Sequence, residues 1–330
     1  MTELTMTTNP APAAPSAIRN TELRNARQKE EPAEDKKIMK PKASIIKPKF
    51  RLHAEELRHP SSASFFSLVP DVASTLDTAL EAIIKYLYTP PTVQSDDVQK
   101  NKRRTNPSYH PSVPQTRSVT LFLRDFGGVA YTTGTELDND HKEIHLSLPY
   151  IKHCTTLKDP VRELVGVLTH ELVHCYQHTA PPKNDENDDT KGNIPHPPGG
   201  LIEGIADFVR LKAQLDPPHW KKPHSASERA SKWDAGYQHT AYFLAWIEDV
   251  WVGEGAIGML NDRLLRVGYI GENQEDASSN DEIGFWKGLF GMEVAELWAE
   301  YGRFLDGDDH GDPGDQKPRG NWEEEMLNPE

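Results

Sequence analysis

Residues 159–178 read DPVRELVGVLTHELVHCYQH, and this stretch decides the fold. Asp159 is placed to accept the first free N–H groups of a helix, and Pro160 suits its first position, where no N–H is needed. Val161, Leu164, Val165, Leu168 and Leu172 then recur at i, i+3, i+4, i+7 and i+11, which predicts a core-facing helix from Pro160 to about His178. Within this helix stands the run His170-Glu171-Leu172-Val173-His174, and its two His fall beside the stripe, at its border. Two His four apart project side by side from a helix, so both can hold one metal ion while the Glu between them serves as a general base. A random order of this composition gives ~0.05 such matches, and the well-signalled helix raises the odds of the metal reading further.

A catalytic zinc takes three protein ligands and keeps a fourth position for water. One arrangement puts a His six residues after the second His, with a Gly between, but those positions hold Ala180 and Gln177. Residues 200–211, GLIEGIADFVRL, supply another. Leu201, Ile202, Ile205, Phe208 and Val209 predict the apolar face of a second helix, from Leu201 to about Leu215, with Glu203 and Asp207 four apart on one side. Glu203 is read as the third ligand, and Asp207 as the acceptor that orients a ligand imidazole through its free N–H. Asp207 itself and His178 stay open as alternatives, His178 only if Glu203 is not a ligand. Glu171 is read as the base that takes a proton from the attacking water and passes it to the leaving amine. Residues 232–246, KWDAGYQHTAYFLAW, offer Tyr237 and His239 as donors to the oxyanion. Tyr237 is preferred, because Trp233, Gly236 and Tyr242 suit an ordered turn entering a helix; an aromatic anchor for that helix is the competing role.

Outward from these helices, Val72 to Leu87 repeat at the helical period and Pro90 and Pro91 close the segment. Val119, Leu121 and Leu123 alternate, as do Ile144, Leu146 and Leu148, and GGVAYTTG (127–134) lies between, so strands are expected there. TAYFLAWIEDVWV, AIGMLNDRLLRVG and FWKGLFGMEVAELWAEYGRFL predict further helices completing a core. Strands followed by helices predict an α+β domain over residues 51–305 with a small antiparallel or mixed sheet. Residues 1–50 and 306–330 read as a disordered arm and a disordered acidic tail. His196 is weighed as a substrate contact or a plain surface residue. The loop NDENDDTKG (184–192) lacks the pattern of a helix-loop-helix calcium site. Cys154 and Cys175 read as buried thiols, Cys175 pointing away from the His pair.

The 330 residues carry a formal charge of −14. Ten bases stand against six acids up to residue 50, and two against nine from residue 306, so −11 rests on the middle of the chain. That balance argues against general nucleic-acid binding, which needs clustered cations. No run approaches the roughly 18 apolar residues of a membrane span, and no basic and apolar leader opens the sequence. A soluble, cytoplasmic, monomeric protein acting on a peptide or protein is the expectation.

The pieces GGVAYTTG, EIHLSLPYI, THELVHCYQ, GLIEGIADFVRLKA, WDAGYQHTAYFL and FWKGLFGMEVAELWAEY resemble, in order, the plant and bacterial peptidases typified by the basic secretory proteins, a zincin-type group. The resemblance covers about residues 50 to 305. It implies a zinc-dependent endopeptidase with a zincin-like fold, His170 and His174 as zinc ligands and Glu171 as the catalytic residue. The acidic charge and the missing leader depart from that family's name. A non-catalytic binding module of the same fold and a zinc hydrolase of a non-peptide amide are the alternatives.

Overall fold

Alternation at Val119, Leu121 and Leu123 buries one face of a strand and seeds a four-stranded sheet of β1 (Lys49–Ala54), β2 (Ser118–Arg124), β3 (Ala130–Gly134) and β4 (His141–Ser147), in the order β1-β2-β4-β3. β1 runs parallel to β2 and β2 parallel to β4, with Leu121 opposite Ile144, while β3 returns antiparallel to β4, with Thr132 opposite Ile144. The sheet is therefore mixed, and β3 forms the edge beside the site described below. The computed structural model describes residues 47–90, 111–181, 195–271 and 284–307. These lie in one compact unit, Ile45–Glu330; the unit before it, Met1–Ser44, lies outside the described residues. The expected arm up to residue 46, the tail from residue 308 and the acidic loop 184–192 lie outside them as well.

Nine α-helices occur among the described residues. They are α1 (Pro60–Leu68), α2 (Val72–Leu87), α3 (Leu148–Cys154), α4 (Pro160–His174), α5 (Gly199–Lys212), α6 (Tyr237–Trp246), α7 (Ala256–Arg266), α8 (Phe285–Phe290) and α9 (Val294–Leu305), with a π-helical turn at Ile247–Trp251 after α6. The protein is thus α+β. Leu76, Ile83 and Leu87 of α2, Leu121 and Ile144 of the sheet, and Leu164, Leu168 and Leu172 of α4 share one fully buried core. None of the helices is long and apolar enough to cross a membrane.

Several sequence expectations need correction. No strand was expected before Val119, yet β1 starts at Lys49, inside the segment read as an arm. Its alternation is weak because it is an edge strand with only Phe50 and Ala54 half-buried. Leu148 opens α3 instead of extending a strand: the Ser147 hydroxyl accepts the N–H of Tyr150, and Pro149 falls in the first turn. The helix read as reaching His178 ends at His174, where the N–H of Cys175 turns to the carbonyl of Leu172. Asp159 does cap that helix, accepting from the N–H of Arg162 at 3.1 Å. Val161, placed in the apolar stripe, is exposed, while Val167, outside that stripe, is buried. The second helix likewise stops at Lys212 rather than Leu215.

Candidate metal centre

α4 presents His170 and His174 to Glu203 of α5. The separations are 3.1 Å from His170 Nε2 to His174 Nε2, 3.1 Å from His170 Nε2 to Glu203 Oε2, and 3.6 Å from His174 Nε2 to Glu203 Oε2. Among the described residues this is the one cluster of His, Cys, Asp and Glu with convergent ligand atoms. Behind it, Asp207 Oδ1 lies 2.7 Å from His170 Nδ1 and is almost fully buried. With Nδ1 donating to that carboxylate, the neutral His170 ring keeps its lone pair on Nε2, toward the other two ligand atoms.

Glu171, buried at 6 % exposure, is fixed from the edge strand: the Thr132 hydroxyl lies 2.7 Å from Glu171 Oε2. Tyr237 opens α6 with its ring stacked beside that of His170, centroids 6.1 Å apart. The charge of Glu203, then burial, then the charges of Asp207 and Glu171 raise the Tyr237 pKa, so its hydroxyl keeps the proton that a donor needs. Tyr237 and His239 both line the cleft of ≈ 820 Å³ that contains the cluster. The alternative ligand His178 does not reach it, because its N–H bonds Asn261 Oδ1 and its ring Nε2 sits 2.9 Å from the Ser112 carbonyl. His196 is exposed and away from the cleft lining. Cys175 is a free thiol, buried to 2 % exposure, and burial pushes its pKa up, as expected for an inert residue.

Residues 47–301 match the family BSP, described as "Peptidase of plants and bacteria". The chain belongs to this family. Peptide-bond hydrolysis is the activity class that the family description carries. No curated protein and no solved structure matches the chain.

In this member of the peptidase family, Gly200 and Gly204 of α5 allow the close approach that joins the two halves of the site. A Cβ on Gly200 would lie 1.9 Å from the Asp234 carbonyl oxygen, and one on Gly204 would lie 2.3 Å from Thr240 Cγ2. The backbone of α5 therefore touches the turn that delivers Tyr237. That turn is held by the Thr240 hydroxyl, which accepts from the Gly236 N–H and donates to the Trp233 carbonyl. Gly236 and Tyr237 follow one another at φ +87° and +46°. A tyrosine at positive φ is strained, and the strain persists only because the contacts around it over-determine it. Gly200→Ala is expected to lower Tm by about 6–12 °C, taking about 3 kcal/mol for overpacking against immobile backbone. Gly199→Ala, whose Cβ meets nothing within 4 Å, is the control and should change Tm by little. Thermal melts of the two single variants check this.

Sequence reading missed three residues of the cleft lining, Tyr150, Glu163 and Arg210. Arg210 Nη2 reaches Glu163 Oε1 at 3.1 Å, and the Tyr150 hydroxyl donates to the same oxygen at 2.7 Å. Gly166 leaves room for Arg210, since a Cβ there would lie 2.5 Å from its Nε. Glu163 stands seven residues before His170 and Arg210 seven after Glu203, so each shares a helix face with a residue of the convergent cluster. That spacing was the available signal.

Proposed function

We propose that this protein is a zincin-like, zinc-dependent endopeptidase in which Glu171 moves the proton. The observation that carries the reading is the mutual spacing of His170 Nε2, His174 Nε2 and Glu203 Oε2, at 3.1, 3.1 and 3.6 Å. Ligands about 2.0–2.1 Å from a tetrahedral zinc stand about 3.3 Å apart, so these three atoms fit three corners of such a site. Two imidazoles and a carboxylate are also the donor types that zinc takes in hydrolases.

Zinc held by these residues supplies a lowered pKa for the attacking water and polarisation of the scissile carbonyl. Glu171 accepts the water's proton and returns it to the departing amine nitrogen. Tyr237, kept protonated by the surrounding carboxylates, donates to the oxygen on which negative charge develops. Asp207 holds His170 in orientation and in the right tautomer. Val129, Ala130, Tyr131 and Thr132 of the edge strand and its approach line the same cleft. Among the described residues no strand pairs with that outer edge, so an extended peptide can add there through backbone hydrogen bonds. This favours a peptide over a small amide as substrate.

Elemental analysis should give one zinc per chain, and cleavage of an unfolded protein should stop with a chelator and return with zinc. Zinc-loaded protein that cuts no member of a broad peptide library would refute the reading and leave the binding-module alternative standing.

The site also predicts a pH dependence. Burial is the largest influence on His170 and acts downward, but the hydrogen bonds to Asp207 and Glu203 and the nearby negative charges outweigh it and hold the metal-free imidazolium up to about 9. Burial acts upward on Glu203, yet its hydrogen bonds to His170 and His174 prevail and bring the carboxyl down to about 2. A raised His pKa contributes stability fully below the ordinary value of 6.5, and that contribution is lost as the pH passes 9; the Glu203 contribution is present above 4.5 and lost toward 2. Chelator-treated protein is therefore expected to lose Tm between pH 6.5 and 9.5. Zinc affinity should climb about tenfold per pH unit above 6.5 and level off near 9, because the proton must leave before the metal binds. Calorimetry and competition with a chromophoric chelator measure the two trends, and a flat profile for both would exclude this proton balance.

A further inference from the structure

The hydroxyl of Thr132 has two acceptors within reach: Glu171 Oε2 at 2.7 Å and the Glu171 carbonyl oxygen at 3.0 Å. It has one proton to give. The carbonyl belongs to the last turn of α4, where the N–H of Cys175 has turned away to Leu172 and a side-chain partner is useful. The carboxylate is the shorter contact and the ionised acceptor, and hydrogen bonds to charged groups are about twice as strong as neutral ones. Thr132 is β-branched, so its hydroxyl direction is set by a stiff χ1 on a strand tied to β4. It comes from the edge of the sheet, whereas every other residue assigned to the chemistry comes from a helix.

We infer that Thr132 is the positioning residue for Glu171: its hydroxyl holds Oε2 and thereby fixes the orientation of the carboxylate, leaving Oε1 as the oxygen not engaged by that bond. This rests on the reading of Glu171 as general base. It also links catalysis to the edge strand, because the residue that aligns the base sits in the strand segment that lines the cleft. A misplacement of about 1 Å in a reacting group can cost up to about 100-fold in rate, so the alignment matters although Thr132 itself transfers no proton.

The test uses Thr132→Val, which removes the hydroxyl while keeping the shape, and Thr132→Ser, which keeps the hydroxyl. Thr132→Val should bind one zinc, lower kcat about 10–30-fold and leave KM within about twofold; Thr132→Ser should restore kcat to within about threefold of wild type. A second readout needs no activity. In the chelator-treated full chain, Thr132→Val should lower Tm by about 4 °C when Glu171 is present and by about half as much in a Glu171→Ala background, where the hydroxyl has only the neutral carbonyl left to donate to. An equal drop in both backgrounds would show that the hydroxyl serves the helix-end carbonyl and would overturn the inference. Cleavage by wild type with unchanged kcat in Thr132→Val would overturn it as well while sparing the peptidase reading. Absence of cleavage by zinc-loaded wild type would remove both.

Discussion

Glu171→Gln is expected to keep one zinc per chain and to lower kcat by about 10³-fold, within the 10²–10⁴ that a positioned acid–base group contributes. The substitution preserves side-chain volume and an oxygen for Thr132 to approach, so it isolates proton transfer from packing. Glu171 is not among the three convergent ligand atoms, and the distances between His170, His174 and Glu203 do not depend on it. Zinc content should therefore stay at wild-type level, and KM should change little, since the loss falls on the chemical step. Elemental analysis with steady-state kinetics on the same preparation decides the matter. Activity within tenfold of wild type, with zinc bound, would exclude Glu171 as the base and leave the water to be activated in some other way.

How much of this was legible in the sequence depended on whether a residue's role is local. Asp159, Pro160 and the Leu164, Leu168 and Leu172 stripe mark the start and the buried face of α4 within fifteen residues, so the helix and the side-by-side His pair could be read directly. Glu203 and Asp207 were legible for the same reason, as two carboxylates one turn apart beside an apolar face. What could not be read depends on residues distant in the chain. Gly200 and Gly204 look like helix-weakening residues until the Asp234 carbonyl and Thr240 are found against them. Thr132 is one of two threonines in a short strand, and nothing local distinguishes it from Thr133; only the packing of the edge strand on α4 selects it. β1 went unread because an edge strand with a solvated outer side lacks a strong alternation. The boundaries of α4 and α5 fell three to four residues early, where the apolar period continued past the last helical hydrogen bonds.

Glu203→Ala is expected to reduce zinc affinity by more than about 100-fold, whereas Asp207→Ala should cost about 10–100-fold, the range for losing a partner that only orients a ligand. The ranking follows from position. Glu203 Oε2 stands 3.1 and 3.6 Å from the two imidazole nitrogens and supplies the negative charge of the set, so its removal leaves two neutral ligands. Asp207 touches only the far nitrogen of His170; without it the ring loses its enforced tautomer but keeps its place on α4. The structural penalties run the other way. Asp207 is 1 % exposed, and replacing it leaves a buried N–H without its acceptor, which costs about 1–3 kcal/mol. The Glu203 side chain is 31 % exposed, and its loss can be relieved by water. Thus Glu203→Ala should lose zinc with a modest fall in the Tm of the metal-free chain, and Asp207→Ala should retain more zinc with a larger fall. Competition titrations and melts of the two variants separate these outcomes. The reverse order of zinc affinities would transfer the third ligand to Asp207 and make Glu203 the residue that merely accompanies the site.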